Sequence, residues 1–425
     1  MKKIIFAIFI SIISVYNIQA QAPELTHKLF GTIESNEKVV PYATVRVVGT
    51  TTGSSSRENG TYKIGNLPKG KYEITATALG YKPQTKTITI TGIEPAKLNF
   101  TLQTDLIGLE EVVVSSNRNA ESRKNSSVIV NAINSQVFEM SQTPTLIGGL
   151  DFTPGLRTES NCQNCGFSQV RMNGLEGPYS QILINSRPIF SGLAGVYGLE
   201  LFPANMVERI EVVRGGGSAL YGGNAIAGTI NIITKEPTHN TFSISSTISA
   251  TGIGHDGIDT PPLDKNLNVN ASMVSKSGKK GITVYGMMRD RDAYDQNGDG
   301  YSEEVLIEGQ TFGFSTFYKP TIRTKLNVDF YNIKEFRRGG NKFDYLPHET
   351  GITEQVDHNI TGTNLSFDLL TKNRNSLSFY TSGQSTDRQS YYGAEQDPNG
   401  YGTTIDFTAS SGLQYTINTD FISNS

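Results

Sequence analysis

The sequence predicts a mainly β chain with an α+β domain in its middle. The order is a small N-terminal β-sandwich, a Gly-rich α+β domain and an incomplete antiparallel transmembrane β-barrel of about eight strands. Short runs that alternate apolar and polar side chains recur through most of the 425 residues, as strands with one buried face do. The links between the later runs alternate between short and long, as transmembrane barrels require. A Gly-rich stretch separates the two groups of runs and indicates a domain of its own.

Residues 1–20 are typical of a secretory signal peptide. Lys2 and Lys3 precede an apolar run over 4–15, and a small-residue pattern ends at Ala20. A helix needs roughly 18 apolar residues to span a bilayer. We therefore expect export and cleavage rather than an uncleaved membrane anchor.

Composition narrows the function classes. The 37 Lys and Arg against 40 Asp and Glu give a net charge of -3, which argues against a nucleic-acid partner because such partners call for a basic excess. The two cysteines, Cys162 and Cys165, predict a disulfide in an oxidising compartment. Zinc would need two more ligands, and no second Cys pair or nearby His pair supplies them. No catalytic constellation is present, so we expect no enzyme.

Residues 27–103 predict the small β-sandwich. Alternating runs over 44–48 and 72–76 indicate strands, and Asn59-Gly60 favours a tight hairpin turn. This stretch resembles the carboxypeptidase-regulatory-like family, whose motifs correspond to Gly49-Thr50, Leu67-Pro68-Lys69-Gly70-Lys71-Tyr72 and Leu79-Gly80-Tyr81. The alternating runs and turns predict a sandwich of seven or so strands. The resemblance implies no peptidase activity, because no catalytic domain of that kind follows.

Residues 104–120 predict a linker with an interaction segment. The apolar run that includes Glu111, Val112, Val113 and Val114 is followed by polar residues. Such a segment can add as a strand to the edge of a partner's sheet. Pattern alone leaves open the alternative that it is the last strand of the sandwich or a plain linker.

Residues 121–236 resemble the plug domain of TonB-dependent outer-membrane receptors over their whole length. The matching motifs are Pro154-Gly155-Leu156, Arg171-Met172-Asn173-Gly174, Ile182-Leu183-Ile184-Asn185-Ser186-Arg187-Pro188, Val207-Glu208-Arg209-Ile210-Glu211-Val212-Val213-Arg214-Gly215 and Ala225-Ile226-Ala227-Gly228-Thr229-Ile230-Asn231-Ile232-Ile233-Thr234. The resemblance also places Leu109 to Val114, which include Glu111, Val112, Val113 and Val114, where that family has its TonB box. It therefore implies a TonB energy-transducing complex as a partner of these four residues.

Residues 240–425 predict the first part of the transmembrane β-barrel. Short links over 275–281, 319–324 and 371–375 alternate with long polar links over 250–265, 290–308, 334–361 and 386–403. Tyr318, Tyr331 and Tyr380 lie near predicted strand ends, which is consistent with aromatic girdles. A barrel that encloses a plug has about 22 strands, so we expect the barrel to continue beyond residue 425.

The resemblance implies a ligand site on the outward loops of the plug. These loops are 157–168, with Asn161 and Asn164, and 187–199, with Phe190, Ser191 and Tyr197. A Cys162–Cys165 disulfide would pre-organise the first loop and so lower the ordering cost of ligand binding. A purely structural staple is the alternative.

One external loop has the opening of a calcium motif. Asp295, Asn297 and Asp299 place three oxygen ligands at alternate positions before a glycine, as an EF-hand loop does. The glutamate expected at the twelfth position is absent, and Glu303 or Glu304 would have to replace it. Two interpretations stay open, calcium and a plain solvated loop. No cofactor is otherwise required.

Together these features predict TonB-dependent active import of a metal chelate across the outer membrane. The chelate classes are ferric siderophore, haem and cobalamin. Lipid of the outer membrane would surround the barrel, and the N-terminal module and TonB box would lie in the periplasm. Two alternatives stay open at this point: a glycan importer that works with a surface lipoprotein, and a TonB-linked surface signalling receptor.

Overall fold

The computed structural model describes residues 29–417, with gaps. The gaps are residues 66, 79, 92–93, 105–111, 114–120, 123–127, 135–145, 152, 163–165, 189–199, 201, 203, 216–220, 223–224, 255–260 and 372–374. The predicted signal peptide, residues 1–20, lies outside the described residues. Within the described part of the chain, no helix is long and apolar enough to cross a membrane.

The N-terminal domain is a two-sheet sandwich, as the sequence predicts. Its strands are β1 (Leu29–Ser35), β2 (Lys38–Val39), β3 (Thr44–Val47), β4 (Gly53–Ser55), β5 (Thr61–Ile64), β6 (Gly70–Thr77), β7 (Gln84–Ile90), β8 (Ala96–Lys97) and β9 (Phe100–Thr101). One sheet has the order β2-β1-β5, with β8 and β9 also paired to β1, and the other has the order β4-β3-β6-β7. Alternate side chains of both sheets, including Leu29, Val45 and Ile74, are fully buried between them.

The turn at Asn59-Gly60 differs from the hairpin expected of it. It joins β4 to β5, and these two strands belong to different sheets. The turn closes through the Gly60 N–H, which donates to the Arg57 carbonyl at 2.9 Å, and Gly60 has a φ of 73°. The Asn-Gly pair specifies the tight turn, but the burial of each strand's apolar face decides which neighbour the strand pairs with.

The segment after the sandwich contains a short strand pair. Strand β10 (Val112–Val113) pairs antiparallel with β11 (Glu121–Ser122). Val112 and Val113 of the predicted TonB box are therefore in extended backbone. Glu111 and Val114 lie outside the described residues.

The middle domain is α+β. Its elements are β12 (Val130–Asn134), α1 (Leu146–Leu150), β13 (Leu156–Cys162), β14 (Phe167–Met172), β15 (Ser180–Ile184), β16 (Arg187–Pro188), β17 (Val207–Arg214) and β18 (Gly228–Thr234). Five strands form one sheet in the order β12-β17-β18-β15-β16, while β13 and β14 form a separate hairpin. The central strands β17 and β18 are buried on both faces, one face carrying apolar side chains such as Ile230 and Ile232 and the other including the buried polar residues Glu211, Thr229 and Asn231.

Eight antiparallel strands form the last sheet, here called the wall. They are β19 (Thr241–Ala250), β20 (Leu263–Val274), β21 (Lys280–Arg291), β22 (Leu306–Tyr318), β23 (Thr324–Gly340), β24 (Ile352–Leu370), β25 (Ser376–Ala394) and β26 (Tyr401–Thr416). Each strand pairs with its neighbour in sequence, and among the described strands β19 and β26 are not paired with each other. The wall is thus an open sheet, as predicted for an incomplete barrel.

The two faces of the wall differ in chemistry. On β22, Phe312 and Tyr318 lie on one face and are 46% and 48% exposed, whereas the alternate residues Ile307 and Thr311 are buried. The buried face of the wall meets the middle domain, because Tyr285, Tyr331, Ile333 and Ile360 belong to the same core cluster as Ile182 and Ile230. The wall therefore encloses the middle domain on one face and presents apolar side chains on the other.

Tyr331 corrects one expectation about aromatic girdles. It lies within β23 rather than at its end, is 6% exposed, and donates its hydroxyl to Gln384 Oε1 at 2.9 Å. The side chain faces the middle domain and not a membrane interface. A pattern of aromatic residues cannot separate the two faces unless the register is known.

The long links of the wall are shorter than the sequence predicts. The links after β23 and β25 cover 341–351 and 395–400, in place of the expected 334–361 and 386–403. In the parts of these strands nearer the long links, the outward side chains are polar, for example Asn332, Lys334 and Asp387. A strand that is polar on its outward face loses the alternation used to recognise it.

Candidate functional site

The first candidate ligand loop is the tip of the β13–β14 hairpin. The two strands pair from Leu156↔Met172 to Ser160↔Ser168, and the register shifts between Ser160 and Cys162. Asn161 and Cys162 are at the end of β13, next to this irregularity. Their side chains, and all of Asn164 and Cys165, lie outside what the structure describes, so the disulfide stays a prediction.

Gly166 closes this tip and lies against the wall. Its φ is 56°, in the left-handed region that favours glycine. A Cβ at this position would overlap Cγ2 of Val305, whose side chain is fully buried just before β22. The absence of a side chain therefore allows the hairpin tip to touch the wall.

The second candidate loop also contacts the wall at both ends. Phe190, Ser191 and Tyr197 fall in the undescribed stretch 189–199. Before this stretch, the Arg187 guanidinium lies 5.4 Å from the centroid of the Tyr380 ring and donates to Asn364 Oδ1 at 3.3 Å. After it, Glu200 forms an ion pair with Arg337.

Arg337, on β23, joins the two loops. Its side chain is 1% exposed, and it forms ion pairs with Glu200 and with Glu335 of the same strand. Its Nη1 also donates to the Gly166 carbonyl at 2.9 Å. A buried guanidinium is tolerated only when its charge is paired and its N–H groups are hydrogen-bonded. At Arg337, Glu200 at the end of one candidate ligand loop supplies part of the charge pairing, and the Gly166 carbonyl at the end of the other accepts a hydrogen bond.

Further charged side chains surround this cluster. Arg289 donates to both carboxylate oxygens of Asp264, at 3.1 and 2.8 Å, and Arg291 donates to the Val305 carbonyl at 3.0 Å. Burial alone would raise the pKa of Glu200, but the positive charges of Arg337 and Arg289 hold it below its ordinary value. Glu200 is therefore ionised at neutral pH, and the arrangement can fix loop positions electrostatically.

The predicted calcium loop lies between β21 and β22. Ligand oxygens of Asp295, Asp299 and Glu303 all lie within 4.8 Å of one another. Both carboxylate oxygens of Asp295 accept backbone N–H groups, from Gly298 and Gly300, at 2.7 Å each. The Oδ1 of Asn297 also accepts a hydrogen bond within the loop, from the Asp299 N–H at 2.8 Å. Of the two glutamates considered as substitutes, Glu303 is the one grouped with the aspartates.

Sequence reasoning missed Arg337, Glu335 and Glu200. A usable pattern was present on β23, where Leu326, Val328 and Phe330 occupy one face and Asp329, Glu335 and Arg337 the other. Charged residues on the inward face of a barrel strand indicate contact with whatever fills the lumen. Their partner Glu200 could not be identified in this way because it lies outside any strand.

Two family models match the chain. The TonB-dependent Receptor Plug Domain matches residues 122–229, and the CarboxypepD_reg-like domain matches residues 29–114. The first match covers the β13–β14 hairpin and the five-stranded sheet as far as the first two residues of β18. The second covers the two-sheet sandwich and extends to the end of the predicted TonB box.

Among curated proteins, the chain is similar to vitamin B12 transporters. It is 25% identical over 260 residues to the vitamin B12 transporter BtuB of Vibrio vulnificus strain CMCP6, which is 60% of this chain and 40% of that protein. It is also 25% identical over 200 residues to the BtuB of Photobacterium profundum, 46% of this chain and 32% of that protein. The matched part thus covers less than half of the length of these relatives, which are transporters and not enzymes.

Solved structures share the fold. The ferric enterobactin receptor PfeA of Pseudomonas aeruginosa has a TM-score of 0.53 at 17% identity and covers 68% of this chain and 47% of its own. The siderophore receptor PirA of Acinetobacter baumannii has a TM-score of 0.54 at 17% identity, with 65% and 43% covered. The chain thus has the domain organisation of a TonB-dependent receptor, with a CarboxypepD_reg-like domain ahead of the plug, and is similar to cobalamin transporters and iron-chelate receptors.

Proposed function

We propose that this protein imports a metal chelate across the outer membrane and that import depends on TonB. The observation that carries the proposal is the shared core of plug and wall, in which Tyr285, Tyr331 and Ile360 of the wall pack with Ile182 and Ile230 of the plug. In the proposed closed barrel, a plug packed against the wall in this way would block free diffusion. Passage of a bulky solute therefore requires the plug to be moved or rearranged, which requires an energy source.

The proposed ligand is cobalamin or a ferric siderophore, with haem as a third class. Support comes from the relatives, of which the curated ones are named as vitamin B12 transporters and the solved ones as siderophore receptors. Glycan import and surface signalling, the two alternatives from the sequence, gain no support from these relatives. A surface lipoprotein is not needed by the proposal.

The proposed ligand loops are those whose ends Arg337 holds. Asn161, Asn164, Phe190, Ser191 and Tyr197 are the side chains expected to contact the ligand. Ligand binding to these loops would act on Gly166 and Glu200, and through them on a single buried wall side chain. This offers a physical route by which an occupied site alters the contact between plug and wall.

The proposed energy source acts on residues 111–114. Val112 and Val113 are already extended and paired with Glu121 and Ser122. A segment in this conformation can exchange its present partner for the sheet edge of the energy transducer with little change in its own backbone. The periplasmic location of this segment follows from the proposal.

Equilibrium binding tests the proposed function. The full-length receptor in detergent would be titrated with cyanocobalamin, ferric enterobactin and haem as separate probes. Saturable binding of one probe, with the other two weaker by at least a factor of about 100, or 2.7 kcal/mol, is expected. Equal and weak binding of all three would remove the support for a chelate receptor.

Calcium in the Asp295 loop stays a prediction. The grouping of Asp295, Asp299 and Glu303 favours a divalent cation, but exposed acidic side chains also occur without one. Titration of the receptor with calcium, compared between wild type and Asp299→Asn, distinguishes the two interpretations.

A further inference from the structure

The N-terminal sandwich makes direct backbone contact with the short turns of the wall. The Thr51 N–H donates to the Ile322 carbonyl at 2.8 Å. Its hydroxyl lies 3.4 Å from the carbonyls of both Ile322 and Thr324. Thr51 lies in the turn between β3 and β4, and Ile322 lies in the turn between β22 and β23. Two polar turns 271 residues apart therefore share hydrogen bonds.

A second contact lies two wall strands away. A Cβ built on Gly65 would be 3.5 Å from the Ser277 carbonyl oxygen and 3.6 Å from that of Lys276. These residues form the turn between β20 and β21. Gly65 therefore lies so close to a second short turn that a single added methyl group would be in van der Waals contact with it. The sandwich thus adjoins two turns on the same edge of the wall.

The point where the chain leaves the plug lies in the same region. Glu236 follows β18, the last plug strand, and its carboxylate pairs with Lys319 at 2.8 Å and with Lys325. Burial lowers the pKa of Lys319, Glu236 opposes this effect, and the positive charges of Lys325 and Arg46 add to it. Arg46 belongs to β3 of the sandwich. Four charged side chains from three domains therefore interact here.

Two more charge interactions cross the same boundary. Partial burial lowers the pKa of His239, and the charge of Arg57 in the sandwich acts in the same direction. Burial raises the pKa of Tyr72 in the sandwich, and the charge of Arg323 in the wall turn opposes it. These interactions agree with the hydrogen bonds in placing one side of the sandwich against the turns and the plug exit.

We infer that the N-terminal sandwich is a docked part of the receptor, seated on the wall turns at 275–279 and 319–323, and that Glu236 couples this docking to the position of the plug. Glu236 neutralises a site that otherwise contains Lys319, Lys325 and Arg46. A shift of β18 that withdraws Glu236 leaves Lys319 and Lys325, and the charge of Arg46 that acts on Lys319, without a neutralising carboxylate. Their repulsion disfavours the docked sandwich, so movement of the plug releases the domain that precedes it.

This coupling would change the freedom of the linker between the sandwich and the plug, a consequence that rests on the proposed import function. The sandwich and the plug flank residues 104–120, the linker that contains the predicted TonB box. While the sandwich is docked, both ends of that linker are attached to the same receptor. Undocking frees one end, so the reach of the linker depends on the state of the plug.

Disulfide trapping tests the docked position. Thr51→Cys and Ile322→Cys would be combined in the full-length receptor with Cys162→Ser and Cys165→Ser, and oxidation would be followed by migration in non-reducing gels. We expect a crosslink. The matched control pairs Thr51→Cys with Thr416→Cys, on the same edge but three strands from β23 and so about 14 Å away, beyond disulfide range. Absence of the first crosslink, or equal formation of both, overturns the docking.

A second arm tests the coupling. Glu236→Gln added to the Thr51/Ile322 cysteine pair should slow crosslinking by about two- to fivefold, as the loss of a partly exposed ion-pair network predicts. Glu176→Gln, which removes another plug carboxylate paired at 3.5 Å with Arg171, should not change the rate. Heat-modifiable migration of each variant confirms that the barrel is assembled.

The experiments can overturn the docking of the sandwich without overturning the proposed import function, and the reverse. An unchanged rate in Glu236→Gln overturns the coupling, whatever the receptor transports. Neither arm uses a chelate or an uptake measurement, so a failed crosslink leaves the import proposal standing, and a receptor that binds no chelate can still form the crosslink.

Discussion

At the scale of single residues, Arg337 and Gly166 determine how the plug loops contact the wall. One is a buried cation whose partners come from two loops of the plug, and the other is a glycine whose missing side chain lets one of those loops touch the wall. The alternation of β23 marks Arg337 as an inward-facing charge, but its partners Glu200 and Gly166 could not be predicted from the sequence. Only the three-dimensional pairing distinguishes Gly166 from the other glycines.

Arg337→Gln should destabilise the receptor. The change leaves Glu200 and Glu335 buried without their cation, and breaking a buried pair in this way costs about 3–5 kcal/mol. Adding Glu200→Gln should recover part of the loss, since the two residues share one interaction. Thermal unfolding of Arg337→Gln, Glu200→Gln and the double variant measures this. Lys265→Gln, at an exposed pair with Asp290, is the control and should cost under about 1 kcal/mol. Additive losses in the double variant would contradict a direct Arg337–Glu200 pair.

Gly166→Ala should be more harmful than Gly174→Ala. Both glycines have positive φ, 56° and 82°, so both substitutions carry a backbone cost of about 1–2 kcal/mol. Only at Gly166 does the new methyl group meet Val305, whereas at Gly174 nothing lies within 4 Å. The difference in unfolding free energy between the two variants therefore measures the cost of the new contact between residue 166 and Val305. Val305→Ala should rescue Gly166→Ala, and a lack of rescue would show that the strain lies elsewhere.

At the scale of elements, the sequence was informative where a strand alternates between two different environments. The eight wall strands and their alternating links follow from a period of two residues, because the outward face of the wall is apolar over part of each strand. The pattern failed where both faces are polar, so that β24 and β25, each 19 residues long, run further than predicted. Strand pairing within the sandwich also required the fold, because Asn59-Gly60 joins two sheets.

The hairpin tip of β13 and β14 should carry an intact disulfide. Cys162 pairs with Phe167 at the end of the hairpin, so both cysteines belong to one short connection in the sequence, and an oxidising compartment favours the bond. Mass spectrometry of the unreduced peptide should find Cys162 and Cys165 joined, 2 Da below the dithiol mass expected from the loss of two hydrogens. Two free thiols, or a stoichiometric zinc ion, would contradict this assignment.

At the scale of the whole molecule, three domains meet at two places. The outward loops of the plug meet the wall at Arg337, and the plug exit meets the wall turns and the sandwich at Glu236. The domain order could be predicted from motifs. The contacts between domains could not, because they join residues up to 273 positions apart and depend on the registers of separate sheets.

The ion pairs of Glu236 give the receptor a defined pH dependence. Burial alone would raise the pKa of Glu236, but Lys319 and Lys325 hold it well below its ordinary value. A carboxylate whose pKa is depressed by folding stabilises the folded state above its unfolded pKa and loses this effect as the pH falls towards the folded value. The stability difference between wild type and Glu236→Gln should therefore stay constant from pH 8 to 6 and shrink below the ordinary glutamate pKa of about 4.3. A difference that changes between pH 8 and 6 would assign the effect to another group, such as His239.

The proposed import requires an energy transducer to engage residues 109–114. Uptake by whole cells of the probe that the receptor binds tests this, compared between the full-length receptor and a variant lacking 109–114, with binding measured on the same cells. We expect the deletion variant to bind the probe as the full-length receptor does and to take it up no faster than cells without the receptor. Uptake by the deletion variant at the wild-type rate would contradict the proposed requirement.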